Sequence, residues 1–294
     1  MTPNTETPST QHLFLDEYPV IDLVYAFIDD QTNAVNAVRA AASQIAAAVT
    51  AAVPRLEAGG RLVYVGAGTS GRLGLLDSVE LYPTFSWPPK RAVALLAGGR
   101  EAVYMAIEGA EDNREQGATD IATADVGVND VVLLLAASGA TPYVMGALSA
   151  ARNRGALTIG MANNPDAPVT KGAEIGITLD TGAEVISGST RLKAGTAQKI
   201  ALNTFSSSVM VRLNKVYGNL MVDVKPTNAK LIKRTISLTM LVTGTDEGTA
   251  HRTLEACQYQ VKIAIVSIKK NISIAEAIAC LAIAHGSVRV ALAK

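Results

Sequence analysis

Three short stretches of this sequence set glycines beside hydroxyl side chains, a combination that lets a backbone approach an anion closely and donate hydrogen bonds to it. They are Gly66-Ala67-Gly68-Thr69-Ser70-Gly71, Ser138-Gly139-Ala140-Thr141-Pro142 and Ser187-Gly188-Ser189-Thr190. Before the first stretch the apolar run 62–65 reads as a strand, and after it an apolar-periodic segment begins at Leu73. A strand therefore feeds a helix through a tight turn, and the helix's first N–H groups and positive dipole end are aimed at whatever the turn holds. The spacing of Gly66, Gly68 and Gly71 falls on the dinucleotide fingerprint. That fingerprint also needs an acidic residue about twenty residues further on, and residues 88–94 supply none. No Gly-Lys-Ser/Thr follows either, which excludes the Walker pattern. Hydroxyls inside the turn, from Thr69 and Ser70, suit a small phosphate monoester better than a pyrophosphate. Gly68, Thr69, Ser70 and Gly71 are the first candidate binding residues. Ser138, Gly139 and Thr141 follow from the second stretch, and Ser187, Ser189 and Thr190 from the third.

These turns need a sheet to bring them together. Apolar runs at 92–96, 130–137, 157–162 and 175–179 read as further strands, alternating with helical patterns near 100–107, 113–123 and 143–154. Pro142 sits where a first helical turn tolerates it. Continuous apolar strands alternating with helices predict a parallel sheet covered on both faces, an α/β fold. Its strand-to-helix loops lie at the carboxyl edge, where ligands bind. Three hydroxyl turns on that edge imply convergence on one phosphate and its sugar hydroxyls. A long helix is expected over 190–216, with Arg191, Lys193 and Lys199 in its first turns. Cations are disfavoured at a helix N-terminus unless an anion shares the site, which makes Lys193 a candidate phosphate ligand.

Elsewhere the pattern is plainer. Residues 1–11 are rich in Thr, Pro and Ser and are expected to be disordered or loosely attached. An Ala-rich helix is expected over 34–57, ending near Gly59-Gly60, and a proline-dense loop over 81–90. Residues 237–294 read as shorter helices in which no chemistry is evident.

Composition narrows the function classes. The 26 basic and 26 acidic side chains cancel, so neither a nucleic-acid groove nor an anionic membrane surface is expected as partner. Cys257 and Cys280 lack metal-site spacing and predict buried thiols rather than a disulfide or a zinc site. The polar N-terminus and the absence of a long apolar run predict a soluble, cytoplasmic protein. His12, His251 and His285 lie outside the three turns, and no catalytic role is expected for them.

Five co-linear segments, GAGTSGRLGLLDSVE, IEGAED, LAASGATPYV, SGSTRLKAGTAQK and KVYGNLMVDVKPTNAKL, together resemble the N-acetylmuramic acid 6-phosphate etherases, members of the sugar isomerase (SIS) fold group. The likeness runs over roughly 60–231. It implies a SIS-type parallel sheet sandwiched by helices over 51–235, with an N-terminal tail and helices over 1–50 and a small C-terminal helical domain over 236–294. It also implies cleavage of the ether joining D-lactate to C3 of the amino sugar, giving N-acetylglucosamine 6-phosphate in recycling of cell-wall muramic acid. No metal or organic cofactor is implied. The implied partner is a sugar phosphate, and the implied assembly is a homodimer whose site is completed across the interface. Glu80 matches the family's proton donor to the departing lactate, and Glu111 its second catalytic carboxylate.

Such chemistry is possible with carboxyl groups alone. The proton at C2 is acidic beside a ring-opened carbonyl, its removal expels the oxygen at C3, and water adds to the unsaturated intermediate. One base and one acid each contribute roughly 10² to 10⁴ in rate. Two glutamates divide the work only if their surroundings keep one neutral and one ionised. Val79 and Leu81 flank Glu80 and predict a partly apolar setting, whereas Glu108, Asp112 and Arg114 near Glu111 suit an ionised base. Two other functions use the same turns, a sugar-phosphate-binding regulator and a sugar-phosphate isomerase. A regulator has no need of an acid and base pair.

Overall fold

The computed structural model describes residues 4–226 and 228–293. The chain forms two compact units, one of residues 1–78 and 90–207, the other of residues 79–89 and 208–294.

In the first unit, helices α1 (Val20–Ala40) and α2 (Ala42–Glu57) lead into strand β1 (Leu62–Gly66), followed by α3 (Gly68–Phe85). Then come β2 (Ala92–Leu96), α4 (Arg114–Thr123), β3 (Val131–Leu135), α5 (Pro142–Asn153), β4 (Leu157–Ala162), the short α6 (Pro168–Gly172), β5 (Ile175–Thr178) and α7 (Lys193–Arg212). All neighbouring strands pair in parallel, in the order β2-β1-β3-β4-β5. The expected α/β sheet is therefore present, with β1, β3 and β4 buried along their whole length. Val63, Val65, Val132 and Leu134 pack with Tyr143, Val144 and Ala147 of α5 and Ile121 of α4 in one apolar core.

Two polar fixings hold the sheet to its surroundings. Arg61 and Asp130 precede β1 and β3 and meet through a 2.6 Å ion pair, while the Arg61 amide donates to the same carboxylate at 2.8 Å. Burial pushes the Asp130 carboxyl up, but the Arg61 guanidinium and the Gly127 and Arg61 amides outweigh it and hold it below the usual value. Asp77 of α3 is buried and accepts from Tyr64 Oη at 2.8 Å, Asn203 Nδ2 at 2.6 Å and Ser206 Oγ at 3.1 Å. That network ties α3 to β1 and α7. Burial, with the Asp77 carboxylate beside it, pushes the Tyr64 hydroxyl well above its usual value.

Several local expectations need correcting. The Ala-rich stretch belongs to two helices bent by 53° about Ala41, the first of them capped by Pro19. The predicted loop over 81–90 is helical to Phe85. Pro83 lies in the last turn of α3, where it takes one N–H out of the helical ladder just before the helix ends, and Ser86 then leaves at φ 50°. Residues 100–107 contain only a 3₁₀ turn at Glu101–Val103. The helix expected from Thr190 begins at Lys193. Residues 4–11, expected to be loose, start with a 3₁₀ turn whose Thr5 is fully buried, while the first three positions lie outside the described residues.

The second unit is helical among its described residues, with α8 (Ala229–Thr243), α9 (Glu247–Ala256), α10 (Val261–Lys270), α11 (Ile274–Ile283) and α12 (Val288–Ala293). Asn228, Asp246 and Ser273 cap their helices through side-chain oxygens, and Ile236, Leu254, Ile265 and Leu281 build a separate core. Cys257 and Cys280 are free thiols. A groove of about 740 Å³ opens in this unit beside Asp223, which pairs with Lys215 at 3.0 Å and Lys262 at 2.7 Å. Among the described residues no single helix is long and apolar enough to cross a membrane.

Candidate active site

The strand order reverses between β1 and β3, so the loops leaving those two strands diverge and open a crevice at the carboxyl edge. A cavity of about 420 Å³ lies there.

Its floor is the start of α3. Gly68 has φ +52°, a backbone that favours glycine, and a Cβ built on it would meet nothing within 4 Å, so the chain is bare towards the cavity. Thr69 and Ser70 line the cavity, and the first-turn N–H groups of α3 supply its positive end. Gly71 serves differently from expectation. A Cβ there would stand 2.6 Å from Gly66 O and 2.3 Å from Leu96 Cδ1, so Gly71 brings helix and strand together and does not touch ligand space.

The second turn contributes Ser138 and Thr141 to the wall. Gly139 takes φ +80° and its Cβ position is 2.3 Å from Ala167, so it shapes the turn from behind. Of the third turn only Thr190 lines the cavity. Ser187 is exposed, and its Oγ accepts from the Ser9 amide at 3.2 Å. Ser189 is half-buried, with its amide on Ile186 O at 3.0 Å.

Lys193 does not reach the cavity as a phosphate ligand would. Its side chain is 3% exposed, with Nζ 2.7 Å from Asp30 Oδ1 and 2.6 Å from Ala183 O. The N-terminus of α7 is likewise occupied from within. Glu184, fully buried, accepts from the amides of Lys193 at 3.1 Å and Ala194 at 2.9 Å, and the Gly195 amide turns back to Thr190 O at 3.0 Å. Burial pushes the Glu184 carboxyl above the usual range, against the pull of those amides. Of the cations expected to mark an anion site at this helix, Lys193 instead accompanies a protein carboxylate, while Arg191 and Lys199 are exposed.

Glu111 lies in the 3₁₀ turn Ala110–Asp112, introduced by Gly109 at φ +68°, and both Glu111 and Asp112 line the cavity. An adjoining cavity of about 240 Å³ shares Ala67, Gly68, Glu111 and Asp112, so Glu111 stands on a wall common to both. Arg72 and Glu108 belong to the smaller one. The Arg72 guanidinium donates to Ala102 O at 2.9 Å and Met105 O at 3.1 Å. Glu80 is exposed on α3 and belongs to the second unit, whereas the lining of both cavities is drawn from the first. The partly apolar setting expected for Glu80 is not supplied there, because Val79 beside it is itself 55% exposed.

Sequence patterns missed two acidic residues. Glu6 lines the larger cavity, and Glu184 fixes the third turn from beneath. Neither sits in a periodic or glycine-rich signal. Among the described residues no cluster of His, Cys, Asp and Glu could hold a metal ion.

Residues 44–152 match the glucokinase regulatory protein N-terminal SIS domain, and residues 115–208 match the SIS domain. The chain is 54% identical to an N-acetylmuramic acid 6-phosphate etherase of Deinococcus radiodurans, over 99% of this chain and 95% of that one. It is 43% identical to one of Klebsiella aerogenes, over 99% and 97% of the two chains, and 46% identical to one of Mycolicibacterium smegmatis, over 98% and 97%.

Proposed function

The chain belongs to the N-acetylmuramic acid 6-phosphate etherase family, and from that membership we propose how its residues divide the work. It is a carbon-oxygen lyase of cell-wall amino-sugar recycling. It cleaves the lactyl ether of N-acetylmuramic acid 6-phosphate to N-acetylglucosamine 6-phosphate and D-lactate.

The phosphate sits at the start of α3, held by the first-turn N–H groups and by the hydroxyls of Thr69 and Ser70, with Ser138, Thr141 and Thr190 on the sugar and the remaining phosphate oxygens. The observation that carries this division is that the Gly68–Ser70 turn and Glu111 line one cavity. A phosphate held at the helix start puts the sugar carbons within reach of the wall that bears Glu111. Glu111 takes the C2 proton, and Glu80 donates a proton to the lactate oxygen at C3. Loss of lactate leaves an unsaturated sugar phosphate, to which water adds at C3. Glu80 owes its role to the family resemblance.

The functional form is a homodimer. Val20, Ile21, Val24, Tyr25 and Ile28 form an exposed apolar stripe on α1, which a second copy would cover. The protein works in the cytoplasm, where its phosphorylated substrate is kept.

Purified protein incubated with N-acetylmuramic acid 6-phosphate is expected to release D-lactate, with the rate unchanged by EDTA. Failure to release D-lactate from that compound would sink the assignment.

A further inference from the structure

The segment 4–9 crosses the carboxyl edge of the sheet and is fastened at three points. The Thr5 amide donates to Asn164 Oδ1 at 3.0 Å, and Asn164 Nδ2 donates back to Thr5 Oγ1 at 2.9 Å and to Ala137 O, just before the second turn, at 2.9 Å. Thr5 is fully buried and Asn164 is 4% exposed. Asn4 Nδ2 reaches Asp180 Oδ1 at 3.2 Å, and the Ser9 amide reaches Ser187 Oγ of the third turn at 3.2 Å. A buried polar pair satisfied in both directions fixes a segment in one place, because releasing either partner leaves a desolvated group unpaired. The segment therefore ties the second hydroxyl turn to the third.

Glu6 comes between these fastenings. Glu6 is exposed and lines the cavity, and its Oε2 lies 3.5 Å from the Cβ position of Gly188. It makes no hydrogen bond or ion pair with another described residue. No basic side chain lines this cavity, so nothing there neutralises it.

We propose that residues 4–9 form a fixed wall of the substrate site, in which Thr5 is a positioning residue and Glu6 contacts substrate by accepting a hydrogen bond from an uncharged donor of the amino sugar, a hydroxyl or the amide N–H. The donor is uncharged because the substrate's phosphate and lactyl carboxylate both repel a carboxylate. The proposal rests on the sugar-phosphate function stated above. A hydrogen bond to a charged acceptor changes affinity by roughly ten- to a hundredfold, large enough to select for substrates that carry the donor.

The test compares wild type, Glu6→Ala, Thr5→Val and Thr5→Ser. It measures kcat and KM for lactate release, calorimetric binding of N-acetylglucosamine 6-phosphate, and the thermal midpoint. Glu6→Ala is expected to raise KM and weaken sugar-phosphate binding about tenfold or more, with the midpoint unchanged. Thr5→Val should raise KM with kcat within twofold, and Thr5→Ser should restore it. If wild type is active while Glu6→Ala stays within twofold in KM and in binding, the wall proposal is overturned and the etherase function stands. If wild type releases no lactate but binds the sugar phosphate, the etherase function fails, and the loss or retention of binding in Glu6→Ala still decides the proposal. Absence of sugar-phosphate binding by wild type overturns both.

Discussion

Lys193 Nζ lies 2.7 Å from Asp30 Oδ1, joining the start of α7 to α1, with the two side chains 3% and 10% exposed. A lysine that sequence suggests as a phosphate ligand is thus paired inside the protein. Removing one partner of a buried pair leaves an uncompensated charge, at a cost of about 3 to 5 kcal/mol. Lys193→Met should lower the stability measured by urea unfolding by about that much. A variant that keeps full stability but loses sugar-phosphate affinity would return Lys193 to the role of ligand.

Gly71 is the residue on which the first turn depends for its shape. A methyl group at 71 would lie within 2.7 Å of the Gly66 backbone, forcing α3 away from β1. Overpacking of this kind costs typically about 1 to 3 kcal/mol. Gly71→Ala should destabilise by that amount and also weaken sugar-phosphate binding, because the N–H groups of the first turn move with the helix. Gly68→Ala meets no neighbour, so its effect is confined to the strain of φ +52° and to crowding of the ligand. Calorimetric titration of both variants with N-acetylglucosamine 6-phosphate checks the contrast.

How much could be read from the residues alone follows from these cases. The five strands and the first turn were legible because parallel strands are continuous apolar runs and a glycine-hydroxyl turn is a local signal. Thr69, Ser70, Ser138, Thr141, Thr190 and Glu111 meet around one cavity, as their placement after strands of one parallel sheet implies. The partners of Lys193 and Ser187 were not legible because the residues that engage them, Asp30 and Ser9, are far away in sequence. Glu6 was invisible because the residues that fasten its segment, Asp180, Asn164 and Ser187, are far away in sequence, and Glu184 because no local pattern marks it. The continuation of α3 through Pro83 was hidden because proline lacks the N–H that the helical ladder needs and so reads as a helix end.

Glu184 fastens the third turn through two amides. Glu184→Gln keeps one acceptor and sets an amide donor against a backbone N–H, so residues 185–192 should become open to limited proteolysis and KM should rise. Because burial raises the carboxyl's value in the folded protein, its contribution to stability is fully present below the ordinary glutamate range of about 4.3 and is lost as pH rises through the folded value. Glu184→Gln should flatten that part of the stability profile. An unchanged profile and an intact loop would count against the fastening.

Asp130 behaves in the opposite sense. Its carboxyl is held below the usual value of about 3.9 by Arg61 and two amides, so the stability it supplies is present above that value and is lost as pH falls through the depressed one. Asp130→Asn should destabilise the protein at neutral pH and remove part of its acid sensitivity below about pH 4. Chemical unfolding at several pH values measures both effects.

The account turns on which bond breaks and where water enters, and isotopic labelling reads this directly. With the reaction run in ¹⁸O water, elimination followed by hydration predicts that D-lactate leaves with the unlabelled ether oxygen and that N-acetylglucosamine 6-phosphate gains ¹⁸O at C3. Label in the lactate hydroxyl, with the C3 oxygen unlabelled, would place cleavage on the lactyl side and contradict the mechanism.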